Sequence, residues 1–144
     1  MGEQLIRVKR LRPNARLPER ATEGSTGYDL YACLDDPLTI GTEPIKIPAG
    51  IAIEAPSGFD VQVRPRSGLS SKGVMVAFGT VDSDYRGELL VTMYALPSRE
   101  PHVVHDGDRI AQMVVTRAEH PALEVVAELS ATPRDTGGHG STGR

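Results

Sequence analysis

Cysteine and tryptophan are almost missing from this 144-residue chain, which contains one cysteine, no tryptophan and 4% aromatic residues. The single Cys33 excludes an internal disulfide framework and a cysteine-based zinc site, and it favours a reducing, cytoplasmic compartment. Since aromatic rings are scarce, the core has to be built mainly from valine, isoleucine, leucine and alanine. Such a core favours further burial of apolar surface through oligomerisation.

Long apolar runs, metal-binding histidine spacings and excess positive charge are also missing. No apolar stretch approaches the ~20 residues needed to span a bilayer, and residues 1–10 lack the apolar region of a signal peptide. The four histidines never recur at a spacing such as His-x-x-x-His. A formal net charge of −3 argues against a general nucleic-acid binder. We therefore expect no membrane partner, no nucleic-acid partner and no fixed transition-metal site.

Short apolar runs separated by turn residues make up most of the remaining sequence. Fifteen glycines and eleven prolines punctuate the chain, which is typical of many short strands in one all-β domain. We expect strands at residues 5–11, 28–33, 38–40, 45–47, 51–54, 61–63, 89–96, 103–104 and 123–129. Pro48 and Gly50 should separate two of them, and the first should have one face in water. The domain should span residues 1–133, followed by a flexible glycine-rich tail at residues 134–144.

The densest polar stretch, residues 79–88, places two acids, a phenol and an arginine between two glycines. Apolar residues precede and follow it, which predicts the turn of a β-hairpin held by two strands. Loops held by rigid strands often carry binding and catalytic groups. We expect this turn to be the centre of the functional site.

A second polar stretch, residues 64–73, is basic and rich in hydroxyls. Pro65 restricts the backbone, and Ser67 is a good N-cap for a single helical turn over the residues that follow. A helix N-terminus beside Arg64 and Arg66 would suit a phosphate group. A solvated basic loop is the alternative.

Three further features have both a structural and a functional interpretation. Asp29, inside a predicted strand, either faces water or serves a site, and Gln112 is either a hydrogen-bonded structural residue or a ligand contact. The tail is either a loose end or a strap that closes over phosphates. Its Gly138-x-Gly140-x-x-Gly143 pattern is not a dinucleotide fingerprint, because no helix can follow it before the chain ends.

Five stretches resemble, in order, the five motifs of the trimeric dUTPase family, the deoxyuridine triphosphate nucleotidohydrolases. They are residues 21–32, 64–69, 79–87, 107–112 and 134–143. The resemblance implies a distorted jelly-roll or β-clip barrel with one short helical turn, assembled as a homotrimer with shared active sites. It also implies Mg²⁺-assisted hydrolysis of dUTP to dUMP and pyrophosphate, which limits uracil in DNA and supplies dUMP for thymidylate synthesis.

The same resemblance implies a role for individual residues. Asp82 matches the general base that activates the water attacking the α-phosphorus, and Asp29 matches the acid that holds Mg²⁺ through water. Tyr85 matches the residue that leaves no room for a ribose 2′-hydroxyl. Gln112 matches a catalytic residue that contacts phosphate or the attacking water.

The remaining matched positions are expected to contact substrate. Backbone groups read uracil at Phe78, Gly79, Thr80 and Val81. Phosphates are contacted by Arg66, Ser67 and Gly68. The tail contributes Arg134, His139, Gly140, Ser141 and Thr142.

Departures from the family pattern leave other interpretations open. His139 replaces the usual stacking phenylalanine, Asp135 replaces a glycine, and residues 72–79 lack an asparagine that many relatives carry. Imidazole offers less apolar area for stacking, so we expect a weaker lid.

A dCTP deaminase of the same fold, or a non-catalytic nucleotide-binding relative, is the alternative to dUTP hydrolysis. A deaminase would need a suitably placed glutamate, for which Glu88 is the nearest candidate.

Overall fold

The computed structural model describes residues 4–97, 100–140 and 143. Within these residues the chain is almost entirely β, with one helix of four residues, which confirms the predicted fold class. The elements are β1 (Arg7–Arg10), β2 (Tyr28–Tyr31), β3 (Leu38–Ile40), β4 (Ile45–Glu54), β5 (Phe59–Arg64), α1 (Ser67–Ser70), β6 (Val74–Val76), β7 (Gly79–Val81), β8 (Glu88–Ala95), β9 (His102–Val104) and β10 (Arg109–Arg117). No helix in the described part of the chain is long and apolar enough to cross a membrane.

The described strands form two four-stranded sheets, in the orders β1-β4-β8-β6 and β2-β10-β5-β7, and a ribbon of β3 with β9. All pairings are antiparallel. Alternate side chains of each sheet enter one apolar core, in which Ile47 and Met93 of the first sheet join Val61 and Ile110 of the second. The core contains aliphatic side chains rather than aromatic rings, as the composition predicts.

Strand β4 runs through Pro48 and Gly50, so the predicted break between two strands is wrong. A register shift between Pro48 and Ala52 absorbs the irregularity as a bulge, and Gly50 takes a φ of 72°. The Gly50 carbonyl accepts a hydrogen bond from the Leu11 amide at 2.8 Å, and its own amide donates to Glu88 at 3.0 Å. Because these groups stay paired, the strand continues past the bulge.

The predicted hairpin is only partly correct, because the strands immediately on either side of the polar turn, β7 and β8, belong to different sheets. Strand β6 pairs with β8, whereas β7 crosses to the second sheet and pairs with β5. The Ala77 amide still donates to Thr92 at 2.9 Å, but Gly79 already lies opposite Val63. The turn at 82–87 therefore connects the two sheets, and no ladder joins β7 to β8 among the described residues.

The predicted strand at 123–129 is also wrong, because these residues form neither strand nor helix. The side chains of Leu123, Val125 and Leu129 are 95%, 99% and 88% exposed. Strand β1 is exposed at all four positions, so the expected alternation of its faces does not occur within one chain. Residues 123–129 therefore present apolar side chains to solvent in the single chain.

Candidate functional site

Two pockets contain most of the residues singled out by the sequence. The first, here called the polar pocket, has a volume of about 270 Å³ and is lined by Ala21, Ser25, Thr26, Gly27, Asp29, Arg66, Ser67, Gly68 and Gln112. The second, here called the turn pocket, has a volume of about 230 Å³ and is lined by Val63, Gly79, Thr80, Val81, Asp82, Tyr85, Glu88, Leu89 and Leu90. Among the described lining residues, none is shared by the two pockets.

Strand pairing brings Asp29 and Gln112 together in the polar pocket. Gln112 of β10 lies opposite Asp29 of β2 on one side and opposite Arg64 of β5 on the other. The Asp29 carboxylate is only 13% exposed, and its two oxygens lie 3.3 Å from Arg66 Nε and 3.8 Å from Arg109 Nη1. Asp29 therefore faces two guanidinium groups rather than water. Arg66 lines the pocket, whereas Arg109 approaches Asp29 without being among the described lining residues. The pocket therefore offers one guanidinium, with a second close by, to an anionic ligand.

The side chain of Gln112 is held on both sides of its amide group. Its Nε2 donates a hydrogen bond to the carbonyl oxygen of Pro65 at 2.9 Å. A Cβ atom on Gly27 would collide with Gln112 Oε1, so only glycine leaves room for this orientation. The bond to Pro65 therefore orients the amide in the pocket lining, and Gly27 leaves the space that this orientation needs.

The helix α1 begins one residue earlier than its predicted cap would require. Arg66, with φ −98° and ψ 133°, is the N-cap, and the structure shows no side-chain capping bond from it. Ser67 is therefore the first helical residue, and the prediction that it is the N-cap is wrong. Its side chain instead lines the polar pocket beside Gly68, where the amides of a first helical turn lack intrahelical partners.

In the turn pocket, Tyr85 is fixed across the turn that begins at Asp82. The Tyr85 amide donates to the Asp82 carbonyl at 3.0 Å, and the phenol donates to the Glu88 carbonyl at 2.8 Å. A Cβ atom on Gly87 would lie 2.5 Å from Tyr85 Cζ, so glycine leaves space for the ring. The turn thus presents a carboxylate and a phenol from a tight backbone.

The residues before Asp82 form an edge of the second sheet. Strand β7 pairs with β5 and is the last strand of its sheet among the described residues, so its outer backbone groups remain open to a ligand. Phe78, which precedes it, is 62% exposed, and the Arg64 guanidinium lies 5.5 Å from its ring centroid. An open edge offers the alternating donors and acceptors that a nucleobase edge can pair with.

Glu88 lines the turn pocket but is engaged elsewhere. Its carboxylate accepts a hydrogen bond from the Gly50 amide at 3.0 Å, at the bulge of β4. This contact gives Glu88 a structural role, which argues against the deaminase alternative.

The tail forms a compact turn apart from both pockets. Arg134 Nε donates to the Gly137 carbonyl at 2.7 Å, and the Gly137 amide donates back to the Arg134 carbonyl at 3.0 Å. Asp135 and His139 have positive φ angles of 46° and 52°, a conformation that favours glycine. Arg134, His139 and Gly140 are not among the described residues that line either pocket. Ser141 and Thr142 lie outside the described residues.

A magnesium ion is the cofactor that the family resemblance implies. In the described ranges, no group of three or more His, Cys, Asp or Glu side chains is placed to hold a metal ion. Asp29 is the one carboxylate among the described residues that line the polar pocket. One carboxylate fits an ion bound mainly by substrate phosphates and water, an arrangement that magnesium favours.

Two positions near the polar pocket were missed by the sequence analysis. Arg109 lies beside Asp29, and Gly27 lies against Gln112. Both belong to stretches matched to family motifs. Their contacts could not be predicted because they depend on how β10 aligns with β2.

Tyr31, the last residue of β2, has a raised pKa. Burial raises the pKa of its phenol, and the charges of Glu19 and Asp29 raise it further, which keeps this phenol neutral.

A polar pocket that contains an arginine and a helix N-terminus, together with an open strand edge on an antiparallel scaffold, is consistent with an all-β nucleotide-binding protein. A dUTPase family model matches residues 13–143 of the chain. The deoxyuridine 5′-triphosphate nucleotidohydrolase of Hydrogenobaculum sp. (strain Y04AAS1) is 46% identical over 140 residues, covering 94% of this chain and 96% of that protein.

Solved structures agree with this assignment. The chain is similar to a point variant of the Staphylococcus bacteriophage 80alpha dUTPase with dUpNHpp, at 27% identity and a TM-score of 0.83, covering 97% of this chain and 99% of that one. It is also similar to a variant dUTPase from phage phi11 of S. aureus, described with a structural Mg(II) ion, at 25% identity and a TM-score of 0.78, covering 86% of this chain and 97% of that one. The chain belongs to the dUTPase family. This membership confirms the resemblance and the predicted enzyme class, a dUTP diphosphatase.

Proposed function

We propose that this protein hydrolyses dUTP to dUMP and pyrophosphate with the help of Mg²⁺, and that Asp82 is the general base. The observation that carries the proposal is the position of Asp82, which directly follows edge strand β7 and begins the turn that holds Tyr85. The backbone for a base and the phenol for a sugar therefore lie on either side of one carboxylate. The reaction would limit uracil in DNA and supply dUMP for thymidylate synthesis.

The catalytic step needs a water molecule aimed in line at the α-phosphorus. Asp82 accepts the proton of this water, and the tight turn closed by the Tyr85 amide supports a fixed carboxylate. Gln112 contacts the water or a phosphate oxygen from the polar pocket. Its amide is already oriented by Pro65 and Gly27, so little side-chain ordering is required when substrate binds.

The phosphates occupy the polar pocket, where Arg66, Ser67 and Gly68 contact them. Arg66 Nη1 donates to the Arg109 carbonyl at 3.3 Å while its Nε faces Asp29, so the guanidinium is held in place on two sides. Bound with the triphosphate, magnesium would neutralise charge on the phosphate oxygens, and Asp29 would hold it through a water molecule.

Selectivity for deoxyuridine arises in the turn pocket. Backbone groups at Phe78, Gly79, Thr80 and Val81 pair with the uracil edge, and the pocket walls exclude the thymine methyl group. The ring of Tyr85 lies against the deoxyribose and leaves no room for a 2′-hydroxyl.

We also propose that each active site is assembled between copies of the chain in a homotrimer. Both pockets are smaller than the ~300–1,000 Å³ usual for small-molecule sites, and they have no described lining residue in common. A separate apolar cavity of about 430 Å³ contains Leu17, Tyr28, Phe59 and Met113 in its lining. Together with the exposed apolar side chains at residues 123–129, this surface supports association of copies.

Residues 134–144 form a tail that closes over the bound nucleotide. Arg134 reaches the γ-phosphate together with Ser141 and Thr142, and His139 stacks over uracil beside Gly140. The side chain of Arg134 donates to the Gly137 carbonyl, so it would have to leave this partner to reach a phosphate.

The experiment that tests the proposal supplies purified protein with dUTP or dCTP in the presence of Mg²⁺. Pyrophosphate from dUTP, without ammonia from dCTP, is expected. Ammonia from dCTP would support the deaminase alternative, and tight dUTP binding without pyrophosphate would support a non-catalytic relative.

A further inference from the structure

Arg86 donates hydrogen bonds to the backbone of the polar turn to which it belongs. Its Nη1 donates to the carbonyl of Ser83 at 2.7 Å and to the carbonyl of Tyr85 at 3.2 Å. These two carbonyls lie on either side of Asp84, so the guanidinium bridges two backbone groups of the turn. A second nitrogen, Nη2, contacts a different strand.

That strand is β4, and its last residue, Glu54, contacts Arg86. Arg86 Nη2 lies 3.3 Å from Glu54 Oε1, and the other carboxylate oxygen lies 2.8 Å from Arg7 Nη1 on β1. The chain of contacts runs from the first sheet through Glu54 and Arg86 to the backbone of the turn. Neither Glu54 nor Arg86 is among the described residues that line the turn pocket.

The turn needs such a link because no strand ladder fixes it. Residues 82–87 connect β7 in one sheet to β8 in the other, and the described residues form no pairing between these two strands. A hairpin would hold its turn by cross-strand bonds. This turn is closed locally by the amide and phenol of Tyr85, and Arg86 attaches it to a neighbouring strand. Glu54 contacts neither pocket, yet it is the point on the first sheet to which Arg86 attaches.

We propose that Glu54 is a positioning residue, which fixes the turn through Arg86 and so sets the placement of Asp82 and the sugar selectivity of Tyr85. The inference rests on the proposed function of those two residues. Loss of the link should lower turnover through Asp82 and reduce the preference for dUTP over UTP through Tyr85. Glu54 itself touches no reacting group.

A role in overall stability does not explain this arrangement. The side chains of Glu54 and Arg86 are 42% and 53% exposed, and ion pairs at such positions contribute little to the stability of a fold. The same ion pair can still affect the reaction rate, because a small displacement of a catalytic group lowers the rate strongly. The two roles predict different measurements.

The test is a double-mutant cycle with Glu54→Gln and Arg86→Gln in the full-length protein, assayed with dUTP and UTP. Each single variant should lower the ratio of kcat/KM for dUTP to that for UTP by roughly 5-fold, with an unchanged melting temperature. In the Arg86→Gln background, Glu54→Gln should have no further effect. The matched control is Glu43→Gln, an exposed acid between β3 and β4 that loses the same charge.

A second readout does not depend on activity. Hydrogen exchange measured by mass spectrometry should become faster in the peptide covering residues 82–88 of Glu54→Gln, while β4 and β8 keep their protection. Unchanged exchange and an unchanged nucleotide ratio in Glu54→Gln would overturn the proposal. Additive effects of the two substitutions would also overturn it, because Glu54 would then act independently of Arg86. If the unsubstituted protein released no pyrophosphate, the proposed function would fail, and the exchange result alone would decide the role of Glu54.

Discussion

Gly87 lies against the ring of Tyr85 so closely that a Cβ atom on the glycine would be 2.5 Å from the ring's Cζ. The phenol is also tied to the backbone, since its hydroxyl donates to the Glu88 carbonyl at 2.8 Å. The ring is therefore held against the backbone of the residues that follow it. The proposed rejection of ribonucleotides depends on this position.

Substitution of Gly87 by alanine should displace the Tyr85 ring and weaken the selection of deoxyribose. We expect the preference for dUTP over UTP to fall roughly 10-fold, because part of a steric barrier is lost. The measurement is kcat/KM for both nucleotides. Gly41→Ala is the control, since a Cβ atom there meets nothing within 4 Å. An unchanged preference in Gly87→Ala would show that the ring does not select the sugar.

Asp82→Asn should abolish turnover and spare nucleotide binding. Loss of a general base typically costs a factor of about 10²–10⁴ in rate, whereas the amide keeps the shape of the carboxylate. Single-turnover pyrophosphate release and binding of a non-hydrolysable dUTP analogue measure the two effects separately. Asp84→Asn, in the same turn, should keep most of the activity. Near-normal rates in Asp82→Asn would remove Asp82 as the base.

The thiol of Cys33 should make the fold less stable at alkaline pH. Burial raises the pKa of this thiol above its ordinary value of 9.0, and the thiol donates a hydrogen bond to Asn14 Oδ1 at 3.3 Å. As the pH rises, the unfolded chain therefore loses this proton before the folded chain does. The contribution of the thiol to the free energy of unfolding is fully present below pH 9.0 and is lost as the pH rises towards the raised pKa. Urea titrations of the wild type and Cys33→Ala at neutral and alkaline pH measure the difference. An equal fall in both would assign the effect to other groups.

Removal of the chain after Pro133 should lower turnover while the oligomer survives. In the single chain, the side chain of Arg134 bonds within the tail rather than to the pockets, so we expect the domain to fold without the tail. The expected loss is mainly in kcat, because a lid completes the site only around bound substrate. Light scattering and steady-state kinetics on the truncated chain give both quantities. Normal dUTP hydrolysis without the tail would show that it is dispensable.

The candidate site was located mainly by the order of the family motifs, since residue type alone left both Asp29 and Gln112 open to a structural role. The stretches containing Asp29, Asp82 and Gln112 were identified from residue type and motif order, and the structure places the first and last side by side. The role of Gly27 was not predictable. Its necessity appears only once the strand register puts Gln112 against it.

The errors in the fold have a common physical origin. Periodicity indicates that a segment is a strand, but it does not tell which strand pairs with it. The alternation of Val74 and Val76 therefore predicted a hairpin, although β7 leaves the first sheet. Residues 123–129 have the apolar pattern of a strand but no partner within one chain. Gly50 was taken as a breaker because a bulge depends on bonds from distant residues.

In the proposed trimer, the turn pocket of one copy and the polar pocket of another form one active site. Asp82→Asn and Gln112→Ala chains with different tags should be co-expressed and the mixed oligomers purified through both tags. In a cyclic trimer with each site across one interface, one site in three is intact, so about one third of the wild-type rate is expected. Mixed trimers no more active than the two parent variants would contradict the account, because Asp82 and Gln112 would then serve a site within one chain.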